Sequence, residues 1–340
     1  MWFYSVDFYR LVSANVILDR YRYILVITYR YIMKYADTDI KISVFLLNKI
    51  EQKKKKLDSL RPISKDAVKR IIEDIRLRHT YHSDAIEGNT LTLQETKLVL
   101  EEGITIGGRP LKDHIEARND AEAFDLMIKL VNSKKEINQE IIQQIHELIT
   151  KGILKNPGKY RTENVTITGA KISPPSYLKI IRLMDEYIQN IHKLKLQPIK
   201  KAAYIHHEFV RLHPFLDGNG RVARLITNFY LMKEGYPPII IQKEDRKNYY
   251  RSLNKADQGD LSGFATFIAR VVNESLQYYL SSFIDEERLV TLSELSKKAD
   301  YSQEYLSLRA RQGKLDSVKI DNIWYSSKRA LKDYRKNVKK

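Results

Sequence analysis

Apolar residues recur every three or four positions through most of the chain and alternating runs are few, which is the pattern of a helical protein. Residues 40–57 carry Ile42, Phe45, Leu46 and Ile50 at helical spacing, ahead of a Lys53–Lys56 run that reads as a solvated helix face. Arg61-Pro62 breaks the chain, and the next helix bears Val68, Ile71, Ile72, Ile75 and His79 before ending near Gly88-Asn89. Thr92 stands three residues before Glu95, the spacing of a capping box, for a helix that runs to Gly103. Residues 111–131 place Ile115, Phe124, Met127, Ile128 and Val131 on one face, and Asn138 can cap a helix that buries Ile141, Ile145 and Leu148. Helical patterns resume at 178–194, 198–212, 221–234, 246–256 and 261–283.

Two stretches depart from this rhythm. Within residues 152–176, Val165-Thr166-Ile167-Thr168-Gly169 alternates and turns, and Pro174-Pro175 stops it, as expected of a short hairpin or flap. Asp285–Arg288 reads as a linker. Beyond it the order is helix (292–299), helix (302–312), Gly313 and an alternating segment from Val318 to Tyr325. That order suits a small winged helix-turn-helix.

A chain of 340 residues exceeds one typical domain, so two domains plus an end segment are expected. The absence of cysteine excludes disulfides and thiolate metal ligands and fits a reducing, cytoplasmic setting. The net charge of +17 favours acidic partners such as nucleotides, although most of the lysines read as solvation of helix surfaces. Residues 1–32 are rich in Tyr and interrupted by Arg, with no run of the ~18 apolar residues that a membrane span needs. The segment is expected to be a dispensable extension, with Met33 as an alternative start, or else a peripheral amphipathic anchor.

The chemistry concentrates in His213-Pro214-Phe215-Leu216-Asp217-Gly218-Asn219-Gly220-Arg221-Val222-Ala223-Arg224. Pro214 ends the preceding helix and leaves His213 at its rim, where an imidazole can accept a proton from a hydroxyl. Asp217 is a hard oxygen ligand suited to sharing Mg²⁺ with phosphates. Gly218 and Gly220 permit exposed amides at the start of the next helix, a ready anion site, and Arg221 and Arg224 can lean onto phosphate from one face. A dinucleotide fingerprint is excluded because a helix, not a strand, precedes the glycines. Metalloprotease chemistry fails because position 211 after His207-Glu208 is Arg.

This segment resembles the signature of the Fic family, His-Pro-Phe-x-Asp/Glu-Gly-Asn-Gly-Arg-x-x-Arg, at every specified position. The resemblance implies a mainly helical core with a short β-hairpin flap, in this chain followed by the small winged helix. It implies protein adenylyltransfer, in which ATP gives AMP to a Tyr, Thr or Ser hydroxyl with Mg²⁺ or Mn²⁺ as cofactor. His213 would deprotonate the target, Asp217 hold the metal, Phe215 anchor the loop and Arg224 take the γ-phosphate. Asn219, Arg221 and the amides of Gly218 and Gly220 would take the α- and β-phosphates. Gly158-Lys159-Tyr160-Arg161 with Val165-x-Ile167 and Pro174-Pro175 is similar to the flap that presents the target by main-chain pairing, and Thr168 and Gly169 would border the nucleotide there. Tyr249, Tyr250 and Asp257 are similar to the segment lining the adenine side, although a Tyr pair is also ordinary core.

Ser83-Asp84-Ala85-Ile86-Glu87-Gly88-Asn89 resembles the family's inhibitory pattern, in which Ser83, Glu87, Gly88 and Asn89 hold the matched positions. There Glu87 would reach Arg224 and block the γ-phosphate. The expected division is an extension at 1–32, inhibitory helices at 33–110, a catalytic core at 111–284 and the winged helix at 289–340. The last carries 13 basic against 6 acidic residues, which permits DNA contact but suits protein docking or a homo-oligomer as well. Expected partners are ATP and a hydroxyl-bearing protein, this chain included. The alternatives are transfer or removal of another phosphate-containing group, or a DNA-binding regulator whose core only senses nucleotide.

Overall fold

A computed structural model describes residues 39–338 apart from Thr168, Lys171 and Lys298. The expectations for residues 1–32 and for Thr168 therefore lie outside the described residues. The helices are α1 (Val44–Ser59), α2 (Lys65–Glu87), α3 (Leu93–Glu101), α4 (Leu111–Val131), α5 (Gln139–Thr150), α6 (Ile180–Lys193), α7 (Pro198–Leu212), α8 (Asn219–Lys233), α9 (Arg246–Ala256) and α10 (Ser262–Ser281). The C-terminal part adds β1 (Val290–Thr291), α11 (Leu292–Ser296), α12 (Gln303–Arg311), β2 (Ser317–Ile320), β3 (Ile323–Ser326) and α13 (Lys328–Val338). Among the described residues no helix is long and apolar enough to cross a membrane.

The hub is α8. From Arg221 to Leu231 every side chain is buried, so this helix is enclosed by α2, α4, α5 and α7 instead of presenting one stripe. Its N-terminus, where unpaired amides collect, points towards the end of α2. The caps fall where the sequence places them. Thr92 and Glu95 form a complete capping box, Asn138 Oδ1 accepts from Ile141 N, and Gly88 closes α2 at φ 105°. Polar caps and a left-handed glycine satisfy the end groups that a helix leaves open.

The C-terminal part has its own apolar cluster, including Leu292, Leu306, Leu331 and Tyr334. Its three strands run antiparallel in the order β1-β3-β2, with Val318 opposite Tyr325 and Ile320 opposite Ile323. Asp321 and Asn322 make the two-residue turn with φ of 49° and 68°, a conformation that short Asx side chains tolerate.

Three expectations need correction. Among the described residues the 152–176 segment contains no strand pair; its backbone bonds include the turns Lys159 N to Asn156 O (3.3 Å) and Ala170 N to Ile167 O (3.2 Å) and a tie from Arg161 N to Pro214 O (2.9 Å). Side chains hold its arms as well. Asp285–Arg288 is not a loose linker: Glu287 is buried and accepts from Lys56 (2.7 Å), Gln277 (3.0 Å) and Ser327 (3.2 Å). Helix α13 was not anticipated, yet Ser327 caps it and Ala330, Leu331 and Tyr334 form its buried face.

The winged part is docked on the helical core. Buried Lys53 of α1 pairs with Asp316 at 2.7 Å, and Asn273 of α10 bonds both. The wing turn touches α2 through Asp321 and Arg78 (3.3 Å), and Gln242 donates to Lys319 O.

Candidate active site

Helix α7 ends at His213, which takes a left-handed conformation (φ 49°, ψ 58°) because Pro214 cannot continue the helix. The following loop is closed by Asn219, whose Oδ1 accepts from Phe215 N (3.0 Å) and whose Nδ2 donates to Phe215 O (2.9 Å). That side chain is buried, and both ends of its amide shape the loop. Phe215 anchors the loop as expected, stacked on His146 of α5 with ring centroids 3.6 Å apart. Gly158 N donates to His146 Nδ1 (2.9 Å), so Nε2 carries the proton given to Asp217 O (3.1 Å). Burial keeps His146 neutral, with its pKa lowered to about 4, although the bond to Asp217 O works in the opposite direction.

The His213 ring faces the backbone with Nδ1, 3.2 Å from Val210 O, a contact that requires the proton on that nitrogen. Nε2 then holds a lone pair. Desolvation lowers the His213 pKa from its ordinary value, which favours the neutral base at pH 7. Arg161 is the brace of this region. Its guanidinium donates to the carbonyls of His213 (2.8 Å), Glu163 (2.8 Å) and Pro175, tying both ends of the 161–176 segment to the histidine.

At the head of α8 a carboxylate lies against the first turn. A methyl group built on Gly220 would collide with Glu87 Oε1, so only glycine lets that oxygen come so near the first turn. Arg224 Nη2 donates to Glu87 Oε1 (2.8 Å) and to Ser83 O (2.9 Å), and Nε donates to Ser83 Oγ (3.0 Å). Burial alone would lower the Arg224 pKa, but the Glu87 charge and hydrogen bond, with Tyr249 and Tyr250 beside them, together outweigh it and raise the value. Gly88 and Asn89 stand apart from the arginine. Gly88 ends the helix, and Asn89 bonds Asp113 O, Glu116 Oε2 and Leu91 N.

Arg221, three positions before Arg224, is set among acidic side chains. It is 2% exposed and lies within 4 Å of three carboxylates, Glu116 (3.3 Å), Asp84 (3.8 Å) and Asp217 (3.9 Å). Desolvation, followed by the nearby Asp120, raises the Asp84 pKa well above the carboxylate range. Glu116 and Asp84 are members of the site that the sequence reading missed. Nothing local marks them: Glu116 has Lys112, Asp113, Asn119 and Asp120 one turn away, the surroundings of an ordinary polar helix face.

A cleft of about 810 Å³ opens along α9, lined by Lys243, Arg246, Lys247, Tyr250, Arg251 and Lys255 among others. Tyr250 flanks it, with the Arg246 guanidinium 5.0 Å from the ring centroid. Arg246 also donates to Ile86 O (2.8 Å), which fixes this wall beside Glu87. Asn254 reaches Gly169 O (3.2 Å), so the tip of the 161–176 segment borders the same cleft. Tyr249 is corrected to core, since it is buried with its hydroxyl on His206 Nε2 (2.7 Å). Asp257 spends a carboxylate oxygen on buried His207 (2.9 Å), not on the cleft.

Asp217 accepts from Gly218 N (2.6 Å) yet its side chain stays 51% exposed. Among the described residues no group of three or more His, Cys, Asp or Glu could hold a metal ion. One accessible carboxylate fits a hard cation whose other ligands are phosphate and water oxygens.

The Fic/DOC family model matches residues 136–231, a span that includes the whole loop around His213. The protein adenylyltransferase Fic of Nematostella vectensis is 35% identical over 251 residues, covering 70% of this chain and 56% of that protein. The chain spans about half the length of the curated relatives it matches. Fic-1 from C. elegans superposes with a TM-score of 0.61 at 30% identity, covering 70% of this chain and 71% of that one. A Fic-domain signaling protein from Bacteroides thetaiotaomicron superposes with a TM-score of 0.63 at 28% identity, covering 69% and 96%.

Proposed function

The chain belongs to the Fic/DOC family, and from that membership and its site we propose that it is a protein adenylyltransferase held in check by Glu87. The observation that carries this reading is the shared ground at the head of α8. A neutral histidine with a free Nε2, a set of helix amides and Arg224 converge there, and a carboxylate of the same chain fills the anion position.

His213 Nε2 takes the proton of the target hydroxyl as its oxygen bonds to the α-phosphorus of ATP. The bond to the β-phosphate bridge oxygen breaks, AMP stays on the protein and pyrophosphate leaves. The amides of Gly220 and Arg221 at the α8 N-terminus, with the two arginines, hold the phosphate chain. Arg161 keeps His213 oriented, and the flap backbone around Val165–Ile167 receives the target by main-chain pairing. Asp217 would hold Mg²⁺ or Mn²⁺, which when bound offsets charge on the phosphates. Thr168 and Gly169 would border the nucleotide from the flap. The fused winged helix serves docking within this reading, and a cysteine-free chain suits the cytoplasm.

The test is incorporation of label from α-labelled and, separately, γ-labelled ATP with Mg²⁺ by wild type, Glu87→Gly and Glu87→Gly/His213→Ala. Label from the α position alone, raised by the first substitution and reduced about 10²–10⁴-fold by the second, is expected. Label from γ, or none in any protein, would overturn the transferase reading. Equal labelling by wild type and Glu87→Gly would overturn the restraint.

A further inference from the structure

We propose that Lys247, Arg251 and Lys255 form a docking rail for acidic residues that flank the modified hydroxyl of the target. The inference rests on the transferase reading and names its substrate class. The three cations stand at i, i+4 and i+8 on α9, so they line one solvent-facing ridge with neighbours about 6 Å apart. All three are exposed, and among the described residues none has a carboxylate within ion-pair distance.

Their setting separates them from plain solubilising charge. They wall the cleft of about 810 Å³ that runs from Tyr250, beside Glu87, towards the flap. Asn254, on the same helix, holds the flap at Gly169 O. A target segment laid along the 161–176 backbone therefore passes the ridge as it enters the site.

Nucleotide chemistry leaves these cations without a task. The triphosphate is matched to the α8 amides, Arg221 and Arg224, while adenine and ribose carry no charge. Three further positive charges call for anions that ATP does not bring. The occupant that reaches both the ridge and His213 is the target chain, and the complementary chemistry is Asp or Glu beside its hydroxyl residue. Phosphate-bearing nucleic acid would need the ridge free of the flap, which Asn254 ties to it.

The test uses the full chain carrying Glu87→Gly, with α-labelled ATP and two peptides of equal length, each with one Tyr. One peptide has Asp and Glu around the Tyr and the other Lys. Modification of the acidic peptide should exceed that of the basic one at least tenfold in kcat/KM, equivalent to about 1.4 kcal/mol. The preference should shrink as salt rises from 50 to 300 mM, since exposed charges are screened. Lys247→Glu/Arg251→Glu/Lys255→Glu should invert it while the Kd for ATP changes less than twofold. An unchanged preference in the triple variant overturns the proposal, as does a tenfold loss of ATP affinity, which would make the nucleotide the occupant. An enzyme that labels itself but neither peptide also overturns it. One that labels nothing, itself included, refutes the transferase reading and the proposal with it.

Discussion

Glu87→Gln removes one charge and almost no volume, and two consequences of opposite sign follow in one protein. Arg224 is buried, and its strongest partner is Glu87 Oε1 at 2.8 Å. The amide that replaces the carboxylate can still accept from the Arg224 cation, so the hydrogen bond survives and what is lost is the countercharge of a buried guanidinium. The Glu87 side chain is 33% exposed, so water recovers part of that loss. A net loss of about 1–2 kcal/mol is expected without nucleotide, seen as a fall in Tm of about 2–4 °C. With ATP the sign reverses, because the phosphate no longer has to displace a carboxylate. The same 1–2 kcal/mol reappears as about 5–30-fold tighter binding. Calorimetric titration with ATP and Mg²⁺, paired with melts in the presence and absence of nucleotide, reads both effects. A Kd within twofold of wild type, or a nucleotide-free variant as stable as wild type, would refute the competition of Glu87 and phosphate for one place.

Other perturbations separate the parts of the site. Gly220→Ala should also unseat Glu87 and lower Tm, but its methyl narrows the phosphate cradle, so ATP protection in melts should fall below that of Glu87→Gln; equal protection would place the phosphate elsewhere. Asn219→Ala should cost about 2–3 kcal/mol in urea unfolding by freeing both Phe215 backbone groups, with Asn219→Asp intermediate because it keeps the bond from Phe215 N. For His146, the unfolded chain takes up a proton near pH 6.5 and the folded chain only near pH 4, so stability present above pH 6.5 is lost as the pH falls towards 4, by up to about 3 kcal/mol. The stability gap between wild type and His146→Gln should narrow across that window, and parallel pH profiles would contradict the assignment. Asp316→Ala should cost about 2–4 kcal/mol by leaving the Lys53 ammonium buried with only amide partners, and a melt unchanged from wild type would mean that the docked winged part contributes no stability.

The backbone course of the chain was legible where chemistry is local. Periodicity placed the ten core helices within a few residues, and Thr92, Asn138 and Gly88 announced their caps because a cap bonds only its own first or last turn. The wing was legible for the same reason, through alternation around Asp321-Asn322. What escaped depends on groups far apart in sequence. Nothing local says that Tyr249 turns inwards to His206, 43 positions away. Arg221 lies among Asp84 and Glu116, more than 100 positions away, and Glu287 is buried only because Lys56 and Ser327 arrive from other elements. The flap misled for a physical reason. Its alternating Val165 and Ile167 have the composition of a strand, but among the described residues no second strand lies beside them.

Helix α2 can be viewed as a lever. Its 23 residues extend about 34 Å at 1.5 Å per residue. The wing bears on it at Arg78, and the carboxylate that fills the anion cradle hangs from its last residue, nine positions or about 13 Å further on. A tilt of about 5° about the Arg78 bearing point would carry the tip roughly 1 Å, enough to stretch a 2.8 Å bond beyond hydrogen-bond reach. Under the proposed restraint by Glu87, an angular change too slight to register as a domain movement would suffice to uncover the head of α8, and the bearing point of that lever rests on the wing.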